Sequence, residues 1–164
     1  MNTSTLRVGR VEKGYIVQVK GRGTMRESRT LHEFAIGIMA DKQCTLVVDL
    51  TSCEYLDSTF LGCLVDLYKK FRRGESNRFH VVANEERSKQ LLAPTRLHQV
   101  LPVLDSSPLP IVECLVLQPV KIVRDDIGRH IMECHRQLAE IGGPNQEIFS
   151  RIAEQLAAEL NSSE

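Results

Sequence analysis

Asp57-Ser58-Thr59 is the stretch whose residue types could do chemistry on the scale of a single side chain. A hydroxyl flanked by a carboxylate stands immediately before the apolar run Phe60-Leu61-Gly62-Cys63-Leu64-Val65. Ser, Thr and Asp are favoured at helix N-termini, because their side-chain oxygens accept from amides that lack a partner in the helix. Those same amides, with the helix dipole, support an added anion. Ser58 therefore reads either as a plain cap or as a phosphoacceptor. Asp57 reads either as a cap or as a group that positions the Ser58 hydroxyl. Thr59 reads as a second cap hydroxyl, with a second acceptor as the alternative. Phe60 reads as an interface anchor at the helix start or as an ordinary core aromatic. Glu54 would add negative charge beside the cluster. Asp49, at the end of an apolar run, suits the satisfaction of loop amides better than the binding of a ligand.

Other chemistry-bearing residues form weaker patterns. His130 and Cys134 are four apart and share a helical face, so both could touch one metal, but no second ligand pair accompanies them. Cys134 also belongs to an apolar stripe. The five cysteines include no CxxC pair, and free thiols are expected. Gly21-Arg22-Gly23 lacks the Lys-Ser/Thr of a phosphate loop. His32, His80 and His98 show no triad spacing. The run Lys69, Lys70, Arg72, Arg73 marks a solvated helix end.

The elements that would hold the serine can be read from periodicity. Leu6 to Val11 alternates, Lys13-Gly14 is a turn, and Tyr15, Val17 and Val19 alternate again, which predicts a hairpin. Gly21 to Gly23 breaks that pattern. Thr30-Leu31-His32-Glu33 has capping-box form, with Ser28 as a rival cap, before the helical face Leu31, Phe34, Ala35, Ile38 and Met39. Thr45 to Leu50 is apolar on both faces, as a central strand is. A short loop leads to Asp57 or Ser58 as the cap of a second helix, with Arg72-Arg73-Gly74 at its end. Phe79 to Ala83 reads as a further strand, Asn84 as a cap, Pro94 as a stop, and Val100 to Leu104 as an edge strand interrupted by Pro102.

The order is β-β-α-β-α-β-α-β, a mainly parallel sheet with an antiparallel edge. Residues 1–104 form this body, and residues 105–119 read as a linker or an extra strand. Residues 120–164 form a C-terminal helical extension. In that extension Val120, Val123, Ile127, Ile131, Cys134, Leu138 and Ile141 step helically, and a second helix follows the turn Gly142-Gly143-Pro144-Asn145. The resulting hairpin would pack on the body or pair with a second copy as a homodimer.

Lys plus Arg and Asp plus Glu balance at 21 each, so charge offers no case for nucleic acid or an anionic membrane. No apolar run is long enough to span a bilayer, and Met1 to Arg7 carries no apolar signal segment. A cytoplasmic location is expected.

The segment Leu46-Val47-Val48-Asp49-Leu50-Thr51-Ser52-Cys53-Glu54-Tyr55-Leu56-Asp57-Ser58-Thr59-Phe60-Leu61-Gly62 resembles the STAS family, the anti-sigma factor antagonists and their relatives. That family reads apolar strand, Asp-Leu-Ser, a few residues, then Asp-Ser-Ser/Thr-Gly-Leu-Gly and an amphipathic helix. The resemblance spans residues 6–104 in element order, and Arg96 to Pro102 is similar to the family's stretch after the third helix. Two departures are plain. Phe60 stands where the family has Gly, and Gly21-Arg22-Gly23-Thr24 stands where it has Gly-x-Leu-Asp.

The resemblance implies a bacterial phosphorylation switch. Ser58 would be the phosphoacceptor of a partner anti-sigma factor that is itself a serine protein kinase, and a PP2C-type phosphatase would reverse the modification. The unmodified protein would capture the anti-sigma factor and free the sigma factor. Asp57, Thr59, Phe60 and Glu54 would form the partner-binding surface. No cofactor is implied, and the chain would be no enzyme. Two other readings use the same fold. One is a stand-alone STAS subunit docked on an ABC transporter ATPase. The other is a small-molecule or nucleotide sensor working at the sheet's carboxyl-end crevice.

Overall fold

The computed structural model describes residues 4–73, 76–107, 113–121, 123–142 and 145–162. Strand β1 (Thr5–Val11) and strand β2 (Gly14–Gly23) form the predicted hairpin, in the register Val8 opposite Val17. Lys13 turns the chain with a φ of 64°. Helix α1 (Met25–Ile38) leads to strand β3 (Thr45–Asp49). Strand β4 (Cys53–Leu56) feeds helix α2 (Ser58–Phe71). Two-residue strands β5 (Arg72–Arg73) and β6 (Ser76–Asn77) pair with each other before strand β7 (Phe79–Val82). Helix α3 (Glu85–Arg87) continues as a wider turn over Ser88–Leu92, and strand β8 (Val103–Leu104) follows. Strand β9 (Glu113–Val116), helix α4 (Arg124–Ile141) and helix α5 (Gln146–Ser162) complete the described chain.

The sheet runs β8-β7-β3-β2-β1-β9, with β4 paired to the far end of β2. The β2–β3, β2–β4, β3–β7 and β7–β8 pairs are parallel, and β1 is antiparallel to both β2 and β9. This is the mixed, mainly parallel sheet expected from the element order. β3 is buried on both faces because Leu46 and Val48 enter the core under the helices while Val47 joins Val11, Ile16 and Val82 on the other side. Phe60, Leu64, Leu67 and Phe71 of α2 fill the first of these layers.

Several boundaries differ from the sequence reading. α1 begins at Met25, and its cap is Thr24, whose N–H donates to Glu27 Oε2 at 2.9 Å. Thr24-Met25-Arg26-Glu27 is itself a capping box, and it wins over the later one because it lets Leu31 and Ala35 reach the core. Ser28 and Thr30 sit inside the helix, their hydroxyls donating to Met25 O and Arg26 O. Gly21 to Gly23 does not end β2. Gly21 takes a φ of 79° and shifts the register, and the strand continues beside β4, a strand in place of the predicted loop. α2 stops at Phe71 when Arg72 turns extended, and Gly74 lies outside the described residues. β9 falls between the body and the helices and adds a strand to the β1 edge.

The C-terminal helices form a hairpin that packs on the body. α4 runs along α2 and meets α1, and α5 packs chiefly on α4. Cys134 and Leu138 of α4 are buried in the main core. The approach is close at Gly62, where an added Cβ would lie 2.0 Å from the Cys134 carbonyl oxygen. Only a glycine on α2 admits the α4 backbone this near.

Candidate functional site

Asp57 ties two helix starts together. Its Oδ1 accepts from Phe60 N–H at 2.8 Å, which caps α2, and its Oδ2 accepts from Met25 N–H at 2.8 Å, in the first turn of α1. Its own N–H donates to Gly23 O at 2.9 Å, so the end of β2 fixes the backbone. Burial pushes its carboxyl above the usual carboxylate range, and the two amide hydrogen bonds pull the other way. The capping role expected for Asp57 is present, and it extends to a second helix.

Ser58 is the first residue of α2 and is half-buried. Its Oγ lies 2.8 Å from His135 Nε2 on α4. The other ring nitrogen, Nδ1, is 2.8 Å from Ile131 O. A carbonyl can only accept, so Nδ1 carries the proton of the neutral ring, and Nε2 accepts the Ser58 hydroxyl hydrogen. The ring is backed by Phe149 of α5, with centroids 5.8 Å apart. The sequence reading found no hydroxyl–imidazole pair, because these two residues are 77 apart in the chain.

Thr59 and Phe60 do not face a partner, contrary to the reading that placed them on the binding surface. Thr59 is buried and Phe60 is 0% exposed. The third turn position of α2 points Phe60 at the sheet, where Gly23 makes room: a Cβ on Gly23 would meet the Phe60 ring at 2.9 Å. Asp49 is likewise not turned to a ligand. Its Oδ1 accepts from the Thr51 N–H at 2.9 Å and from the Thr51 hydroxyl, closing the loop after β3. Glu54 is exposed on β4, and its carbonyl accepts from Gln90 Nε2 at 3.2 Å.

The rim of the junction is exposed and mixed in character. Met25 and Tyr55 are exposed beside Asp57, and the Arg22 guanidinium lies 4.3 Å from the Tyr55 ring centroid. A second polar cluster lies under α4. His130 Nε2 is 2.8 Å from Ser28 Oγ, and Ser28 gives its own hydrogen to Met25 O, so His130 is the donor. Burial, with His32 and Arg29 nearby, lowers the His130 pKa from 6.5 to about 4. Asp66 accepts from His32 at 2.9 Å and Lys70 at 2.8 Å. Burial alone would raise its carboxyl, and these bonds more than offset that and hold it low.

Among the described residues no cysteine has a reactive setting. Cys44, Cys53, Cys63 and Cys134 are buried free thiols. Burial, reinforced by Cys134, pushes the Cys63 thiol well up. Among the described residues no group of three or more His, Cys, Asp or Glu is placed to hold a metal. His130 and Cys134 instead make a sulfur–imidazole contact at 3.7 Å. A cavity of about 360 Å³ lies at the β1–β9 edge beside α1, lined by Leu6, Arg26, Thr30 and Val116, and Ser58 is not part of it. Among the described residues no helix is long and apolar enough to cross a membrane.

No protein-family model matches the sequence, and no curated protein matches it significantly. Solved structures do match. An anti-sigma factor antagonist from Mycobacterium paratuberculosis superposes with a TM-score of 0.53 at 26% identity, over 64% of this chain and 88% of that one. The anti-sigma factor antagonist SpoIIAA in its unphosphorylated form superposes with a TM-score of 0.47 at 10% identity, over 60% and 89%. The chain has the STAS-type fold of the anti-sigma factor antagonists.

Proposed function

We propose that this chain is a phosphorylation-controlled protein-interaction module of the anti-sigma factor antagonist type. It binds an anti-sigma factor with serine kinase activity when Ser58 is unmodified, and a PP2C-type phosphatase restores that state. The observation that carries the reading is the position of Ser58 as the first residue of α2 on this fold, next to a carboxylate that anchors the starts of both α1 and α2. The rim formed by Arg22, Met25 and Tyr55 is exposed and suits a protein partner better than a small molecule.

The chemistry belongs to the partner. The kinase joins the γ-phosphorus of ATP to Ser58 Oγ while its bond to the ADP oxygen breaks, and the hydroxyl proton passes to a base. The product carries roughly −1.5 to −2 charges at neutral pH. That charge sits beside Asp57 at a surface where a partner would exclude water, so binding weakens. The test is to incubate the protein with its cognate kinase and ATP, then map phosphate by mass spectrometry. Phosphate at position 58, absent in Ser58→Ala, supports the reading. Phosphate that persists in Ser58→Ala refutes it. A chain that instead docks on a transporter ATPase would use this junction with no phosphate at all.

A further inference from the structure

The face on which Ser58 opens is occupied by the chain's own α4. Along α2, His135 stands over Ser58, the Cys134 backbone over Gly62, and Gln137 and Glu140 over Lys69, whose Nζ donates to each at 2.6 Å. Across α1, His130 donates to Ser28. The seat thus has an apolar centre, with Cys134 and Leu138 buried and Ile141 and Phe149 packed beside them, ringed by polar contacts. The chain linking β9 to α4 has no regular structure over residues 117–121. Release of such a hairpin without the sheet is a local opening, which amide exchange distinguishes from global unfolding.

The contact at Ser58 senses the chemical state of the hydroxyl. His135 Nδ1 is committed to Ile131 O at 2.8 Å, which leaves Nε2, 2.8 Å from Ser58 Oγ, as the acceptor of that contact. The unmodified Ser58 hydroxyl supplies the hydrogen it needs. A phosphorylated Ser58 has no hydrogen on Oγ, and the bond becomes two acceptors face to face. The new dianion would also lie between the Asp57 carboxylate and an imidazole packed against the Phe149 ring. We propose that the α4–α5 hairpin is the resident occupant of the Ser58 face, and that its seating and a phosphate on Ser58 exclude one another. This rests on Ser58 being the phosphoacceptor. Coupling of this kind is reciprocal: the seated hairpin slows modification and partner docking, and modification releases the hairpin.

The test uses the full chain with phosphoserine inserted at position 58 by genetic-code expansion, so no kinase is needed. Amide hydrogen exchange is compared with the unmodified chain. The expected result is exchange in α4 and α5 faster by about tenfold or more, with β2, β3 and β7 unchanged. Unchanged or slower exchange in α4 overturns the proposal, because the seated hairpin then tolerates the phosphate. A second arm places Leu138→Glu in the full chain, unseating α4 while leaving every residue of α2 in place. Cognate kinase and ATP should then modify Ser58 about tenfold faster than in wild type. Equal rates overturn the cover and leave the phosphoacceptor reading intact. No phosphate on Ser58 in either protein, together with release by phosphoserine, refutes the phosphoacceptor reading and sustains the coupling.

Discussion

Acid should loosen the seat of α4 through one residue, His130. Its ring is 8% exposed and donates to Ser28, and burial lowers its pKa from 6.5 to about 4. The groups facing it are His32 and Arg29 of α1 and Asp66 and Lys70 of α2. Above the unfolded pKa of 6.5 the ring is neutral in both states and the stabilisation is fully present. As pH falls from there toward about 4, the unseated or unfolded state takes up a proton that the seated state refuses, and stability is lost. The full difference of roughly 2.5 pH units at about 1.36 kcal/mol each gives about 3.4 kcal/mol, of which about 2 kcal/mol is gone by pH 5. His80 shifts the same way through burial, and Asp66 contributes only at lower pH, near and below the carboxylate range. The clean quantity is therefore the difference between wild type and His130→Gln, whose amide can still donate to Ser28. Urea unfolding and amide exchange of α4 at neutral pH and near pH 5 should show the wild type losing about 2 kcal/mol more than the variant. Equal losses in the two proteins would refute the argument that a buried neutral His130 holds this seat.

Three substitutions follow from the packing. Gly62→Ala would push a methyl into the Cys134 carbonyl, so α4 should lift at a cost of about 1–3 kcal/mol, read as faster α4 exchange with an intact sheet. Phe60→Ala should cost about 3–5 kcal/mol of global stability in urea, because the ring is fully buried rather than part of a docking face. Asp57→Ala removes caps from two helices and should cost about 1–3 kcal/mol in thermal unfolding, with Asp57→Asn retaining part of it.

The body was legible in the sequence wherever a strong local signal existed. The hairpin, the doubly apolar β3, the Asn84 cap and the two terminal helices each follow from periodicity or capping chemistry. β4 escaped notice because Glu54 and Tyr55 are both exposed, and only pairing with the extension of β2 makes this segment a strand. The start of α1 was misplaced because two capping boxes lie six residues apart, and packing alone chooses between them. Phe60 looked like an anchor because nothing local reveals that Gly23 leaves space for its ring. The Ser58–His135 pair depends on where α4 docks, which no spacing between residues 58 and 135 encodes. A glycine on α2 facing the apolar stripe of α4 is the one sequence signal that could have pointed to it.

On the function proposed above, Ser58 is the residue through which this protein is switched. That role is tested most directly by measuring the affinity of the cognate anti-sigma factor for the full chain before and after stoichiometric phosphorylation, with the site mapped by mass spectrometry. The expected result is one phosphate, on Ser58, and binding weaker by about tenfold or more. Equal affinity for the two forms, or a single phosphate on any other residue, would contradict it.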